Sequence, residues 1–211
     1  RTGIGLGPDG MAEHDDHVGM LLAKLDELGI ADNTIVVYST DNGAETVSWP
    51  DGGITPFMGE KGTTFEGGQR VPAIFWMPKK IKPAVVHELG STLDLFTTLT
   101  KIAGAKEPEG LVTDSYDLRK TLFKEKKSPR ETFYYYRSDQ LYAIRMGPWK
   151  AHFTIWGAYG QFEEKTVCDP PLLYHLGHDP GEKYNVAEKH PEVLEQIQAL
   201  LDAPEERIGL G

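Results

Sequence analysis

The chain has 211 residues, enough for one large domain, with 39% hydrophobic and 26% charged residues, the balance of an ordinary globular protein. A formal net charge of −10 leaves no basic surplus to displace counterions from phosphates, which argues against nucleic acid as a partner. Its longest apolar runs, such as AIFWM, are far too short to span a bilayer.

In chain order, the opening RTGIGLGPDG lacks a Met and a basic-then-apolar leader, and reads as part of something longer. Met11, Val18, Leu21, Leu22, Leu25 and Leu28 lie on one stripe of a helix over 11–28, which Gly29 is placed to end. DNT (32–34) turns the chain into a strand over 35–39, whose continuous apolar character is that of a buried parallel sheet. Residues 41–70 have no regular period and are rich in Gly, Thr and Pro. A loop of that length inside a compact domain is usually functional or disordered. A second buried strand is expected over 71–77, closed by Pro78. A helix then starts at Ser91, with Asp94 three residues on as a capping-box variant. Its apolar face is Leu93, Phe96, Leu99 and Ile102, and Gly104 ends it.

Beyond GAKEPEG (104–110) the texture changes. Residues 132–137, 142–147, 149–154 and 172–176 read as short aromatic strands, and DPGE (179–182) turns the chain toward a last helix over 191–201. The pattern is a small antiparallel sheet with a terminal helix on one face. KEKK (124–127) reads as a solvated loop.

Several motifs fail on inspection. GLGPDG (5–10) has no strand before it, and Pro8 sits where a phosphate needs backbone N–H groups. In GEKGT (59–63) the lysine does not precede Ser or Thr, so it is no P-loop. His14 and His17 in HDDH stand near ligand spacing, but a polar helix start accounts for them. Cys168 is the only cysteine, so no intrachain disulfide forms and the compartment stays open. His152, His175 and His178 have no nucleophile to pair with and read as packing or surface residues.

The segment STDNG, together with GEKGTTFEGGQRVP (59–72), carries two readings. Asp41 and Asn42 follow an apolar strand directly, and ligands of open α/β sheets bind outside the carboxyl ends of strands. A carboxylate beside an amide oxygen suits a hard cation, and Lys61 between Gly59 and Gly62 offers a point charge to an anion. An Asx turn followed by a mobile glycine loop fits the same residues. On the residues alone both stand.

TIVVYSTDNGAE, its spacing to GEKGTTFEGGQRVPAIFWMP, and HELGSTLDLFTTL resemble the sulfatase family, within the alkaline-phosphatase-like fold. SPRETFYYY, GPWKAHF and PPLLYHLGHDPGEKYN resemble the carboxyl-terminal part of arylsulfatase A-type enzymes. The resemblance implies an α/β fold: residues 1–105 as part of the catalytic α/β domain, 106–131 as a linker, and 132–211 as the small antiparallel sheet with its terminal helix. It implies that Asp41 and Asn42 bind a divalent metal, usually Ca²⁺, and that Lys61 holds the sulfate of a sulfate ester, a small molecule or a sulfated glycan. The family's nucleophile, a formylglycine made from Cys or Ser in a Cys/Ser-x-Pro-x-Arg motif, has no match here. CDPPL (168–172) has Leu172 in place of the Arg, and Cys168 reads as structural. Formylglycine is therefore expected only upstream of these residues, and the chain alone is expected to be inactive. Two other readings stay open: a phosphodiesterase or phosphonate hydrolase on the same fold, and a non-catalytic interaction module. A sheet without its neighbouring strands exposes apolar edges, so self-association of the isolated chain is expected.

Overall fold

The computed structural model describes residues 2–159 and 164–202. A long helix α1 (Leu6–Glu27) leads into strand β1 (Val36–Ser39), and after a long connection come a short helix α2 (Glu66–Gln69) and strand β2 (Ala73–Trp76). Helices α3 (Asp94–Ile102) and α4 (Arg119–Lys124) follow. Four strands, β3 (Thr132–Arg137), β4 (Gln140–Met146), β5 (Trp149–Ile155) and β6 (Thr166–His175), then precede a last helix α5 (Pro191–Asp202).

The glycines expected to end helices do so. Gly29 has φ +67°, its N–H reaches Asp26 O at 3.0 Å, and the next N–H, of Ile30, reaches Leu25 O at 3.1 Å. Gly104, at φ +71°, repeats the pattern through Lys101 O and Ala105 N to Thr100 O at 3.0 Å. A left-handed residue one step past the helix satisfies carbonyls the helix leaves open, and glycine adopts it without a Cβ clash.

The small sheet is a meander in the order β3-β4-β5-β6, antiparallel throughout. Along β5, side chains alternate in period two. Trp149, Ala151 and Phe153 join Ile144, Leu173, Val193 and Ile197 in the apolar core under α5, whereas Lys150 and His152 point to the opposite face.

The amino-terminal strands depart from expectation. β1 and β2 pair antiparallel, with Val36 opposite Trp76 and Ser39 opposite Ala73, where a buried parallel sheet was expected. Their continuous apolar character reflects two faces that want cover, and that property does not set strand direction. Neither strand is buried: β2 exposes Ala73 and Ile74. Helix α1 likewise buries no residue, leaving Met11, Leu21 and Leu28 exposed and Val18, Leu22 and Leu25 half-buried. Around α3 the expected apolar face is only partly covered: Leu93 and Phe96 are exposed and Leu99 and Ile102 half-buried, while Asp94, Thr97 and Thr98 are buried. Two short helices, α2 and α4, lie where an irregular loop and linker were expected.

The bonds of Asp94 explain why the polar side of α3 is buried. The Asp94 carboxylate accepts from Ser91 N at 2.9 Å, the reciprocal half of the expected cap, and from Tyr116 N at 2.8 Å. It also takes Arg130 in a two-pronged pair, Nε to Oδ2 at 2.9 Å and Nη2 to Oδ1 at 2.6 Å, and Arg130 Nη2 donates further to Asp114 O at 2.6 Å. Both side chains are buried, and the guanidinium stacks over Tyr116 at 4.7 Å. This pair ties α3 to the start of β3. Removing one partner of a buried pair strands the other charge, so Arg130→Met is expected to cost about 3–5 kcal/mol in urea unfolding. The double variant Asp94→Leu/Arg130→Met is expected to cost less than the sum of the two single changes.

Candidate functional site

Two loops meet at the end of β1. Gly43 N donates to Gly68 O at 3.0 Å, Lys61 N to Ala44 O at 3.1 Å, and Gly67 N to Met58 O at 2.7 Å. The approach at Gly43 is close enough that a Cβ there would lie 1.7 Å from Gly67 O, so no larger residue fits. Buried Glu60 adds a stitch, its Oε2 accepting from both Thr46 N and Thr46 Oγ1 at 2.7 Å. Gly59 and Gly62, at φ +77° and +84°, bracket Lys61 and turn it out of an otherwise buried stretch, with its side chain 43% exposed.

The structure thus brings the Asp-Asn-Gly turn and the Lys61 loop together. Lys61 Nζ pairs with Glu45 Oε1 at 2.5 Å. That bond holds the ammonium above its ordinary range, and the negative charge of Asp41 acts on it in the same direction. Tyr159, in the connection after β5, donates to Glu45 Oε1 at 3.5 Å. Asp41 is exposed and receives only Thr40 Oγ1, at 3.3 Å, among the described residues. Asn42 Nδ2 is taken by Gly43 O at 2.9 Å, which leaves its Oδ1 as the amide atom available to a ligand.

A carboxylate and an amide oxygen from adjacent residues are a donor set that suits a hard cation. They fit as two of the six to eight oxygens that Ca²⁺ takes. Among the described residues no group of three or more His, Cys, Asp or Glu side chains is arranged to hold a metal. His14 instead meets Tyr38 OH at 3.2 Å, and burial pushes the Cys168 thiol, within β6, up and away from a reactive thiolate.

What sequence reading missed lies at the end of the glycine loop, around Glu66. Lys150 has no exposed side-chain surface and bridges Glu66 Oε1 at 3.0 Å and Glu182 Oε1 at 3.1 Å. Glu182 also accepts from His152 Nε2 at 2.7 Å and from the backbone N–H of Glu66 at 2.6 Å. Arg145 stands 4.0 Å from Glu66, so two cations balance two carboxylates around a neutral imidazole. Phe65 stacks on His152 with centroids 4.7 Å apart. Glu182 adopts φ +51°, a left-handed conformation unfavourable for a residue with a side chain, and the three bonds its carboxylate makes hold it there. The signal was present in WKAHF: in a strand, Lys150 and His152 two apart must share a face, and a lysine among Trp, Ala and Phe needs a buried partner.

The mixed helix-and-sheet fold, with its small antiparallel sheet and terminal helix, is of the alkaline-phosphatase-like class. The family model described as Sulfatase matches residues 9–105, and the one described as the C-terminal region of aryl-sulfatase matches residues 128–210. Arylsulfatase A of Homo sapiens is 40% identical over 95% of this chain, and N-acetylgalactosamine-6-sulfatase of Mus musculus 41% identical over 83%. The PsFucS1 sulfatase from Pseudoalteromonas sp. superposes with a TM-score of 0.83 at 29% identity, covering 92% of this chain and 41% of its own. The chain belongs to the sulfatase family. It spans 43% of the human relative's length and 38% of the murine one's.

Burial holds the His152 imidazole below the usual histidine range, despite its bond to Glu182, and its buried Nδ1 has no acceptor for a second proton. Burial would raise Glu182, but the bonds from His152 and the charge of Lys150 more than offset it and hold the carboxyl low. Both shifts act in one direction. The unfolded chain takes up protons near pH 6.5 at histidine and near 4.3 at glutamate that the folded chain refuses. The contribution of these two groups to stability is therefore full above about pH 6.5 and declines as pH falls below it. Thermal unfolding is expected at lower temperature at about pH 5 than at about pH 7.5, with His152→Phe flattening the upper part of that decline.

Proposed function

We propose that this chain is the carboxyl-terminal part of a sulfatase that hydrolyses sulfate esters. Asp41 and Asn42 would hold Ca²⁺, and Lys61 would bind the sulfate group. The observation that carries the reading is the convergence of the Asp-Asn-Gly turn and the glycine loop through the backbone bonds from Gly43 N to Gly68 O and from Lys61 N to Ala44 O. When bound, a divalent cation withdraws charge from a sulfate oxygen. Lys61 contributes a second positive charge, fixed by the backbone bond from its own N–H to Ala44 O and by the left-handed glycines on either side. A cation held rigid where negative charge develops stabilises the transition state without reorganisation. The nucleophile would come from residues upstream of these.

The division proposed is residues 1–105 for the α/β catalytic part, 106–131 as linker and 132–211 for the small sheet and helix. Its substrate class would be a sulfate ester, as a small molecule or a sulfated glycan. One solved relative is described in complex with D-glucosamine-2-N,6-O-disulfate, at 25% identity and a TM-score of 0.59.

In the full-length protein, Lys61→Ala is expected to lower turnover of an aryl sulfate on the order of 10²-fold or more. Asp41→Asn is expected to weaken Ca²⁺ binding in calorimetry. Near-normal kinetics in Lys61→Ala would overturn the reading.

The exposed apolar surfaces of α1, β2 and α3 carry Met20, Leu21, Ile74, Leu93 and Phe96. Exposed apolar surface of this kind marks a contact site. Residues 1–211 expressed alone are expected to self-associate in light scattering. A stable monomer at high concentration would contradict this.

A further inference from the structure

Lys61, the residue proposed to bind the sulfate, is already in contact with an anion of its own chain. Glu45 Oε1 lies 2.5 Å from its Nζ, with both side chains partly exposed, and Tyr159 OH steadies the same carboxylate oxygen from 3.5 Å. The residue that brings Glu45 there is fixed on both sides: Ala44 O accepts from Lys61 N at 3.1 Å, and Thr46 is held by buried Glu60. A carboxylate so mounted beside the anion-binding ammonium opposes ligand binding by like-charge repulsion, and repulsive elements are a common source of selectivity.

We propose that Glu45 is a charge-selecting residue, which favours singly charged sulfate esters over doubly charged phosphate monoesters at Lys61. The inference rests on the sulfatase reading above. A sulfate monoester carries one negative charge at every working pH. A phosphate monoester carries about −1.5 to −2 near pH 7, so a fixed carboxylate repels it up to twice as strongly. Whatever other groups line the site, Glu45 lowers the site's total charge by one, and that difference falls on the dianion more than on the monoanion.

The test compares kcat/KM for one aryl sulfate and the matching aryl phosphate in the full-length protein at about pH 7.5. Glu45→Gln is expected to lower the sulfate-to-phosphate ratio on the order of tenfold, and Glu45→Asp, which keeps the charge, to stay near wild type. Glu45→Ser makes the same charge change and serves if the Gln variant fails to fold. An unchanged ratio in Gln and Ser variants of an active enzyme would overturn the inference and leave the sulfatase reading intact, as would an equal shift in Glu45→Asp. A wild-type protein that hydrolyses neither aryl sulfates nor sulfated glycans would overturn both.

Discussion

Lys150, enclosed between Glu66 and Glu182, joins the two halves of the chain. A lysine, two glutamates and a histidine removed from water are stable only if each charge has a partner at bonding distance, and here the distances run from 2.7 to 3.1 Å. Glu66 opens α2 at the end of the glycine loop, Lys150 and His152 belong to β5, and Glu182 follows β6. The polar face of the small sheet therefore acts as the floor of the loop that presents Lys61. Its apolar face is covered by α5, so the sheet is buried on both sides by unlike chemistry.

That arrangement sets the carboxyl-terminal sheet against the glycine loop of the amino-terminal half. The backbone bonds at Gly43, Lys61 and Gly67 fix the loop from the front, and the Glu66–Lys150–Glu182 cluster fixes it from behind. Between these two sets of contacts, Lys61 is among the few charged side chains of the loop left partly open to solvent. Asp94 and Arg130 make a second such joint, between α3 and β3, so both long connections of the chain are pinned by buried ion pairs.

The sequence made the local features legible. Helix ends at Gly29 and Gly104, the four aromatic strands and the terminal helix all follow from short-range rules of capping and alternation. The candidate site residues were legible as residue types, while the roles proposed for them rest on a family resemblance, because two oxygens and one lysine also describe an ordinary turn. Three things were not legible. The direction of β1 against β2 depends on a partner strand, which apolar content alone does not name. The burial of the polar side of α3 follows from Asp94, whose carboxylate pairs with Arg130 from beyond α4. Glu66 and Glu182 lie 116 residues apart, and no local pattern pairs them.

That sequence separation bears on the order in which the molecule assembles. The meander β3 to β6 is made of neighbouring strands, whose contacts close short loops and so form quickly. Bringing residue 66 to residue 182 closes a far longer loop, whose entropic cost grows with length and is recovered only when the buried bonds are made. The small sheet can thus be complete while its charged face is still wet. Docking of the glycine loop is then the late step, in which Lys150 loses its water and Lys61 acquires its final position.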